Sequence, residues 1–266
     1  MIKADCHTHT HFSTDSNAKP EEQVLAAIHA GLSHLCITDH MDIDYPVSDS
    51  FIIDMQKYLP QISKLRETYK SDITIYTGVE VGLQPHLVSA LNIFTNSYPF
   101  DFIIGSTHVV DQKDPYYPDF WESYTEKEGY RKYFESTLDN IRRFDCFDVY
   151  GHIDYIVRYG PNKNKYYQYR DYTDVLDEIL KTLIAKGKGI ECNTGGFKYG
   201  LGHPNPEECL IKRYIELGGE ILTIGSDAHA PEHIAYSFDK LPSLLKSCNV
   251  KYYTIFKNRK PFFIPL

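Results

Sequence analysis

Asp5-Cys6-His7-Thr8-His9 is the stretch on which the reading of this chain turns. It follows a short apolar run, Ile2 to Ala4, and sets two histidines two residues apart. Alternate side chains of a strand share a face, so His7 and His9 point the same way near the strand's end. Two neutral imidazoles on one face, with Asp15 a few residues on, can begin a metal site. A lone H-x-H pair often has no metal, so the rest of the chain must supply its partners.

Outward from this stretch, short apolar runs alternate with amphipathic ones. Pro20 to Ala30 predicts a helix: Val24, Leu25 and Ile28 share a face, Glu21 and Glu22 suit the first turn, and Gly31 ends it. His34 to Thr38 reads as a strand delivering Asp39-His40. A helical stretch follows from about Phe51 to Tyr69, with Pro60 expected to kink or divide it. Ile73 to Thr77 leads as a strand to Gly78-Val79-Glu80. A helix from His86 to about Asn96 and a strand from Phe100 to Ile104 precede Gly105-Ser106-Thr107-His108. The segment Asp111 to Thr125, rich in Pro, Tyr and Asp, is too long for a plain connector and reads as a lid or pocket wall.

The helix Glu126 to Arg143 then leads to a strand, Phe147 to Tyr150, and to Gly151-His152-Ile153-Asp154. A second long connection carries Arg158 and the segment 160–170. Beyond it come a helix from about Tyr172 to Ala185, closed at Gly187, and a strand, Gly189 to Cys192, before Asn193-Thr194-Gly195-Gly196. A helix from Pro206 to Leu217 and a strand from Glu220 to Ile224 precede Gly225-Ser226-Asp227-Ala228-His229. A last helical piece, about Pro231 to Ser247, and a β-like tail, Tyr252 to Pro265, complete the chain.

Seven strands, each followed by a helix, imply a parallel sheet. An open sheet and a closed barrel fit the same string of elements, and the polar residues choose between them. His7 and His9, His40, Glu80, His108, His152, and Asp227 with His229 each follow a different apolar strand. In a barrel those strand ends open on one face, where active sites sit; in an open sheet they would be strung along an edge. The expectation is therefore one barrel domain over residues 1–266.

The donor types set the chemistry. Imidazoles and carboxylates without thiolates suit Zn, Mn or Fe and argue against structural zinc. A catalytic ion takes about three protein ligands. The set His7, His9, Asp15, His40, Glu80, His108, His152, Asp227 and His229 therefore suggests two or three divalent ions with a bridging carboxylate such as Glu80. Clustered ions lower the pKa of a shared water and clamp a phosphoryl group.

Composition excludes much else. The chain has 266 residues, 42% of them hydrophobic, with no apolar run long enough to span a membrane and no leader pattern, so the expected address is the cytoplasm. Its six cysteines form no C-x-x-C pair and read as buried thiols. A formal charge of −8 argues against a nucleic-acid partner. The 22 tyrosines, dense around 116–133 and 150–172, read as half-buried packing.

Taken together, His7-Thr8-His9, Thr38-Asp39-His40, Gly78-Val79-Glu80, Gly105-Ser106-Thr107-His108, Gly151-His152-Ile153-Asp154 and Ser226-Asp227-Ala228-His229 resemble the polymerase and histidinol phosphatase (PHP) superfamily. The likeness is to its histidinol-phosphatase branch, which the ending Arg259-Lys260-Pro261 to Pro265-Leu266 also resembles. The resemblance implies a distorted (β/α)7 TIM-like barrel with a trinuclear site. His7, His9, Glu80 and Asp227 would hold one ion; Glu80, His108 and His152 a second; Asp15, His40 and His229 a third.

The implied activity is hydrolysis of L-histidinol phosphate, in histidine biosynthesis, by attack of a metal-bridging hydroxide. Asp15, His40 or His229 would stand near the leaving alkoxide. Arg158 would fork onto the phosphate. Lys198 takes the place of an expected arginine, keeping the charge without the fork. The alternative is a phosphoesterase of the same superfamily acting on a nucleotide, a nucleic acid or another small phosphomonoester. A deaminase-type barrel would want a bridging lysine where Ser106-Thr107-His108 stands.

Overall fold

Eight strands build the central sheet: β1 (Ala4–Asp5), β2 (His34–Ile37), β3 (His40–Met41), β4 (Thr74–Gly82), β5 (Phe102–Ser106), β6 (Val149–Tyr150), β7 (Gly189–Asn193) and β8 (Leu222–Gly225). The computed structural model describes residues 2–47 and 51–266. Seven strands lie in the order β1-β2-β4-β5-β6-β7-β8, and β3 pairs with the end of β4 beyond β2. Every pairing in this sheet is parallel. The sheet curls until its ends meet: Cys6 N–H donates to the Ile224 carbonyl (2.8 Å), Asp227 N–H to that of His7 (2.9 Å) and His9 N–H to that of Ala228 (2.9 Å). The result is a distorted TIM-like barrel, the architecture expected.

The strands read as apolar runs because helices cover one face and the barrel interior the other. Leu35, Ile37, Ile75, Val79, Ile103, Ile104, Val149, Ile190 and Ile224 are all buried. Where β2 and β4 run closest there is no room for a side chain. A Cβ at Gly78 would stand 2.6 Å from Cys36 Sγ and 2.7 Å from Thr38 Cγ2.

Three local expectations change. The second long helix starts at Met55, capped by Asp54, and runs through Pro60 to Thr68 undivided. Tyr58, Ile62 and Leu65 bury one face of it, and that packing outweighs the backbone bond that proline removes. Strand β4 runs five residues past Thr77, so Glu80 lies inside it. The stretch 231–247 is not one helix but two single turns, Pro231–His233 and Phe238–Lys240, followed by a helix, Leu241–Ser247. Ala235 and Ser237 adopt left-handed backbone (φ 55° and 56°) between them. That bend lays the Ala235 N–H on the buried carboxylate of Asp5 at 3.0 Å.

The tail forms a hairpin, β9 (Tyr252–Lys257) with β10 (Lys260–Pro265), which covers the N-terminal end of the barrel. Thr254 Oγ1 accepts from Leu222 N–H at the start of β8 (3.3 Å), and Phe256 stacks on Phe102 at the start of β5 (5.0 Å). Arg259 donates to Asp148 Oδ2 (2.6 Å) and the Cys146 carbonyl (3.0 Å). One end of the barrel is thus sealed, leaving the C-terminal mouth for the site. No helix among the described residues is long and apolar enough to cross a membrane.

Candidate metal centre

All nine expected donors gather at that mouth, around Glu80. Its carboxylate is buried and divides between two sets of imidazoles. Oε2 stands 3.1 Å from His7 Nε2, 3.5 Å from His9 Nε2 and 3.3 Å from His40 Nδ1. Oε1 stands 3.3 Å from His108 Nε2 and 3.0 Å from His152 Nε2, and accepts from Ser106 Oγ at 2.6 Å. Asp227 Oδ1 lies 3.8 Å from His7 Nε2 and 3.5 Å from His9 Nε2. Asp15 reaches in from the first long loop, 3.1 Å from His229 Nε2 and 3.8 Å from His40 Nε2.

Four overlapping groups have donor atoms close enough to share an ion: His7 with His9 and Asp227; His7 with Glu80 and His152; His40 with Glu80 and His108; and His9 with His40 and His229. The donors fit divalent ions on two counts. His9 Nε2 and His40 Nδ1 are buried without a hydrogen bond, although both face carboxylates. The His9 ring also stacks on those of His40 (4.3 Å) and His229 (4.1 Å), an arrangement suited to aiming nitrogens at common centres.

Electrostatics agree. Burial opposes a charge on His7, but Glu191, Glu80 and Asp227 hold its imidazole well above the usual range. Burial, with His229 and His40 alongside, pushes His9 well below it. Burial would neutralise Glu80, yet His7, His108 and His40 hold its carboxyl well below the usual range. The central carboxylate is thus held ionised, which suits it to cations.

A second ring of carboxylates, not anticipated from the sequence, aims the imidazoles. Asp42 accepts from His108 Nδ1 at 3.0 Å and lies 3.1 Å from His40 Nδ1. Glu191, inside β7, meets His7 Nδ1 at 2.7 Å. Such contacts fix which ring nitrogen faces a metal. The signals were present as period-2 pairs, His40-x-Asp42 and Glu191-x-Asn193, each putting two polar groups on one face.

The cleft above the cluster has a volume of about 470 Å³ and is walled by Asp42, Tyr45, Asp114, Tyr155, Tyr159 and Tyr199. Asp114 shows that the segment 111–125 does form a wall; a single helical turn, Pro118–Trp121, interrupts it. Arg158 is buried at the cleft's edge in the turn Tyr155–Arg158. Its guanidinium donates to Asp227 Oδ2 (2.8 Å), Asn193 Oδ1 (2.8 Å) and Asn205 Oδ1 (2.7 Å) and lies over the Tyr199 ring. Lys198 stands outside the wall, bonded to the Asp227 carbonyl at 3.4 Å, with its charge near Arg158 and Asp15. The tyrosines are more deeply placed than expected: Tyr130, Tyr133 and Tyr150 are core residues.

Fold and cluster together define a class: parallel barrels with a buried histidine–carboxylate cluster at the C-terminal mouth. The chain belongs to the PHP domain family, which it matches over residues 5–195. Among curated relatives it is 34% identical to the histidinol-phosphatase of Lactococcus lactis over 98% of this chain and 96% of that one. It is 33% identical to a probable histidinol-phosphatase of Clostridium acetobutylicum, over 93% of this chain and 94% of that one. A crystal structure of the Lactococcus lactis histidinol phosphate phosphatase, complexed with zinc, L-histidinol and phosphate, superposes with a TM-score of 0.90 at 32% identity and covers 98% of both chains.

Proposed function

We propose that this chain is a metal-dependent phosphomonoesterase that hydrolyses L-histidinol phosphate to L-histidinol and phosphate, serving histidine biosynthesis in the cytoplasm. The observation that carries the reading is Glu80, whose two oxygens face two separate imidazole sets beneath a cleft edged by a buried arginine. The full-length likeness to the Lactococcus lactis enzyme supports the substrate.

His7, His9, Glu80 and Asp227 would hold one ion, Glu80, His108 and His152 a second, and Asp15, His40 and His229 a third. The nitrogen and oxygen donors suit Zn, Mn or Fe. Bound divalent ions supply Lewis-acid charge at phosphate oxygens and bring the pKa of water towards neutrality.

The chain's own groups do the rest. Arg158 has five N–H donors and spends three within the protein, so two remain for phosphate oxygens. Lys198 adds positive charge beside it. The departing half of the substrate carries an ammonium and an imidazole, which suit Asp42, Asp114 and the tyrosine wall. Asp15, His40 and His229, clustered on the outer side, would stand near the leaving alkoxide.

Steady-state assay of Mn- or Zn-loaded enzyme on L-histidinol phosphate, against p-nitrophenyl phosphate and nucleoside monophosphates, tests this. A clear preference in kcat/KM for histidinol phosphate is expected. Equal rates on all of them would remove the substrate and leave a general phosphatase.

A further inference from the structure

Glu191 is a fully enclosed carboxylate between β6, β7 and β8 that does not line the cleft. One strand end makes space for it: a side chain at Gly225 would run into Glu191 Oε1. Each oxygen has its own partners. Oε1 meets His7 Nδ1 at 2.7 Å. Oε2 accepts from the His152 backbone N–H at 3.0 Å and from Asn193 Nδ2 at 3.1 Å.

From this we infer that Glu191 is a positioning residue that fixes the Nδ1–H tautomer of His7 and thereby makes His7 Nε2 a metal donor. The inference rests on the metal-centre reading above. A neutral imidazole has one free lone pair, and His7 Nε2 faces Glu80 and Asp227. Nε2 can ligate only if the ring proton sits on Nδ1, and Nδ1 can keep it only beside an acceptor. Glu191 is that acceptor.

The substitution Glu191→Gln separates this role from mere packing, because it keeps the shape and exchanges one acceptor for a donor. The amide has one orientation open to it. The His152 N–H is backbone and always donates. Asn193 cannot turn over to help, because its Oδ1 already accepts from Arg158 Nη2 (2.8 Å) and Gly195 N–H (2.9 Å). The oxygen of the introduced amide must therefore take the Oε2 position, and its NH₂ group must face His7. His7 then accepts at Nδ1, the ring proton moves to Nε2, and the metal donor is lost.

The experiment is metal binding, read apart from turnover. Wild type and E191Q are loaded with zinc, dialysed against graded chelator, and assayed for metal per chain, with circular dichroism to confirm the fold. The variant should release one ion at a roughly 10- to 100-fold lower chelator strength. In ¹⁵N-histidine spectra of the zinc-loaded proteins, His7 should be protonated at Nδ1 in wild type and at Nε2 in the variant. E191Q with wild-type zinc retention would overturn the inference. Should E191Q not fold, the wild-type spectrum decides alone: a His7 proton on Nε2 refutes the tautomer lock. Wild type that retains no zinc would instead refute the metal centre itself.

Discussion

Arg158 is the residue whose replacement should be most informative, because it lines the cleft proposed for the substrate and is also bonded to the protein on three sides. In Arg158→Lys the charge stays, and a lysine ammonium can still approach Asp227 Oδ2, but the planar fork is lost. Asn193 Oδ1 keeps the Gly195 N–H as a donor. Asn205 Oδ1 does not: its bond from Arg158 Nε, 2.7 Å long, has no replacement within the fork's reach, and Asn205 is fully buried. One orphaned buried acceptor costs about 1–3 kcal/mol. For a chain of this size that is a fall in Tm of roughly 2–10 °C.

The catalytic loss should be larger. Removing aligned donors from a developing phosphoryl charge typically costs on the order of 10²-fold in kcat/KM. Asp227 gives a further reading, since Arg158 holds its Oδ2 and leaves Oδ1 towards His7 and His9. A lysine that preserves this hold leaves metal content unchanged. The assay is therefore Tm, metal per chain and kcat/KM on L-histidinol phosphate, measured on the same preparations. A variant with kcat/KM within threefold of the parent and Tm within about 1 °C would refute both roles.

Other outcomes follow from parts of the structure that bear on the site to different degrees. His152→Ala removes an imidazole nitrogen that faces Glu80 Oε1 and should lower metal content by about one ion per chain together with activity; full metal and full turnover would cancel the second-ion assignment. Arg259→Met unfastens the hairpin from Asp148 at the sealed end. It should lower Tm by several degrees while kcat at 25 °C stays at the parental value, and a matching loss of kcat would show that the two ends of the barrel communicate. Asp177→Asn tests an ion pair between the helices Thr173–Ala185 and Glu208–Glu216. Hydrogen bonds from Arg213 hold the Asp177 carboxyl below its usual range. Its stabilisation is thus present above the unfolded pKa of about 3.9 and is lost as pH falls through the lower folded value. The urea midpoint of the variant should trail the parent at pH 7 and converge with it on acidification; a gap that widens towards pH 3 would contradict the sign.

How much of this is legible in the sequence depends on how far each residue's partner lies. The histidines at the strand ends can be read, because a barrel topology brings all such ends together whatever the loops do. The helix Glu126–Arg143 can be read to the residue, since its Thr125–Glu128 capping box is local. The break in 231–247 cannot. Its cause is Asp5, 230 residues away, which draws in the Ala235 N–H. Glu191 and Asp42 escape a sequence reading for the same reason: a carboxylate that aims a histidine looks like any other until the histidine's second nitrogen is placed. Arg158 is legible as a cleft residue, but its bonds to Asn193, Asn205 and Asp227 come from three separate segments.

Those two carboxylates also bear on why the cluster would receive cations. The acids that touch the cluster are Asp15, Asp42, Glu80, Glu191 and Asp227; Arg158 is bonded to Asp227, and the Lys198 charge lies near Asp227 and Asp15. With the imidazoles neutral, as metal ligation requires, five anions against two cations leave three negative charges in a largely buried space. Uncompensated charge of that density is not tolerated in a protein interior. Divalent ions would reverse that balance and give the cleft a pull on an anionic phosphate. The aiming carboxylates thereby gain a second use: Asp42 and Glu191 supply two of the five anions that such ions compensate.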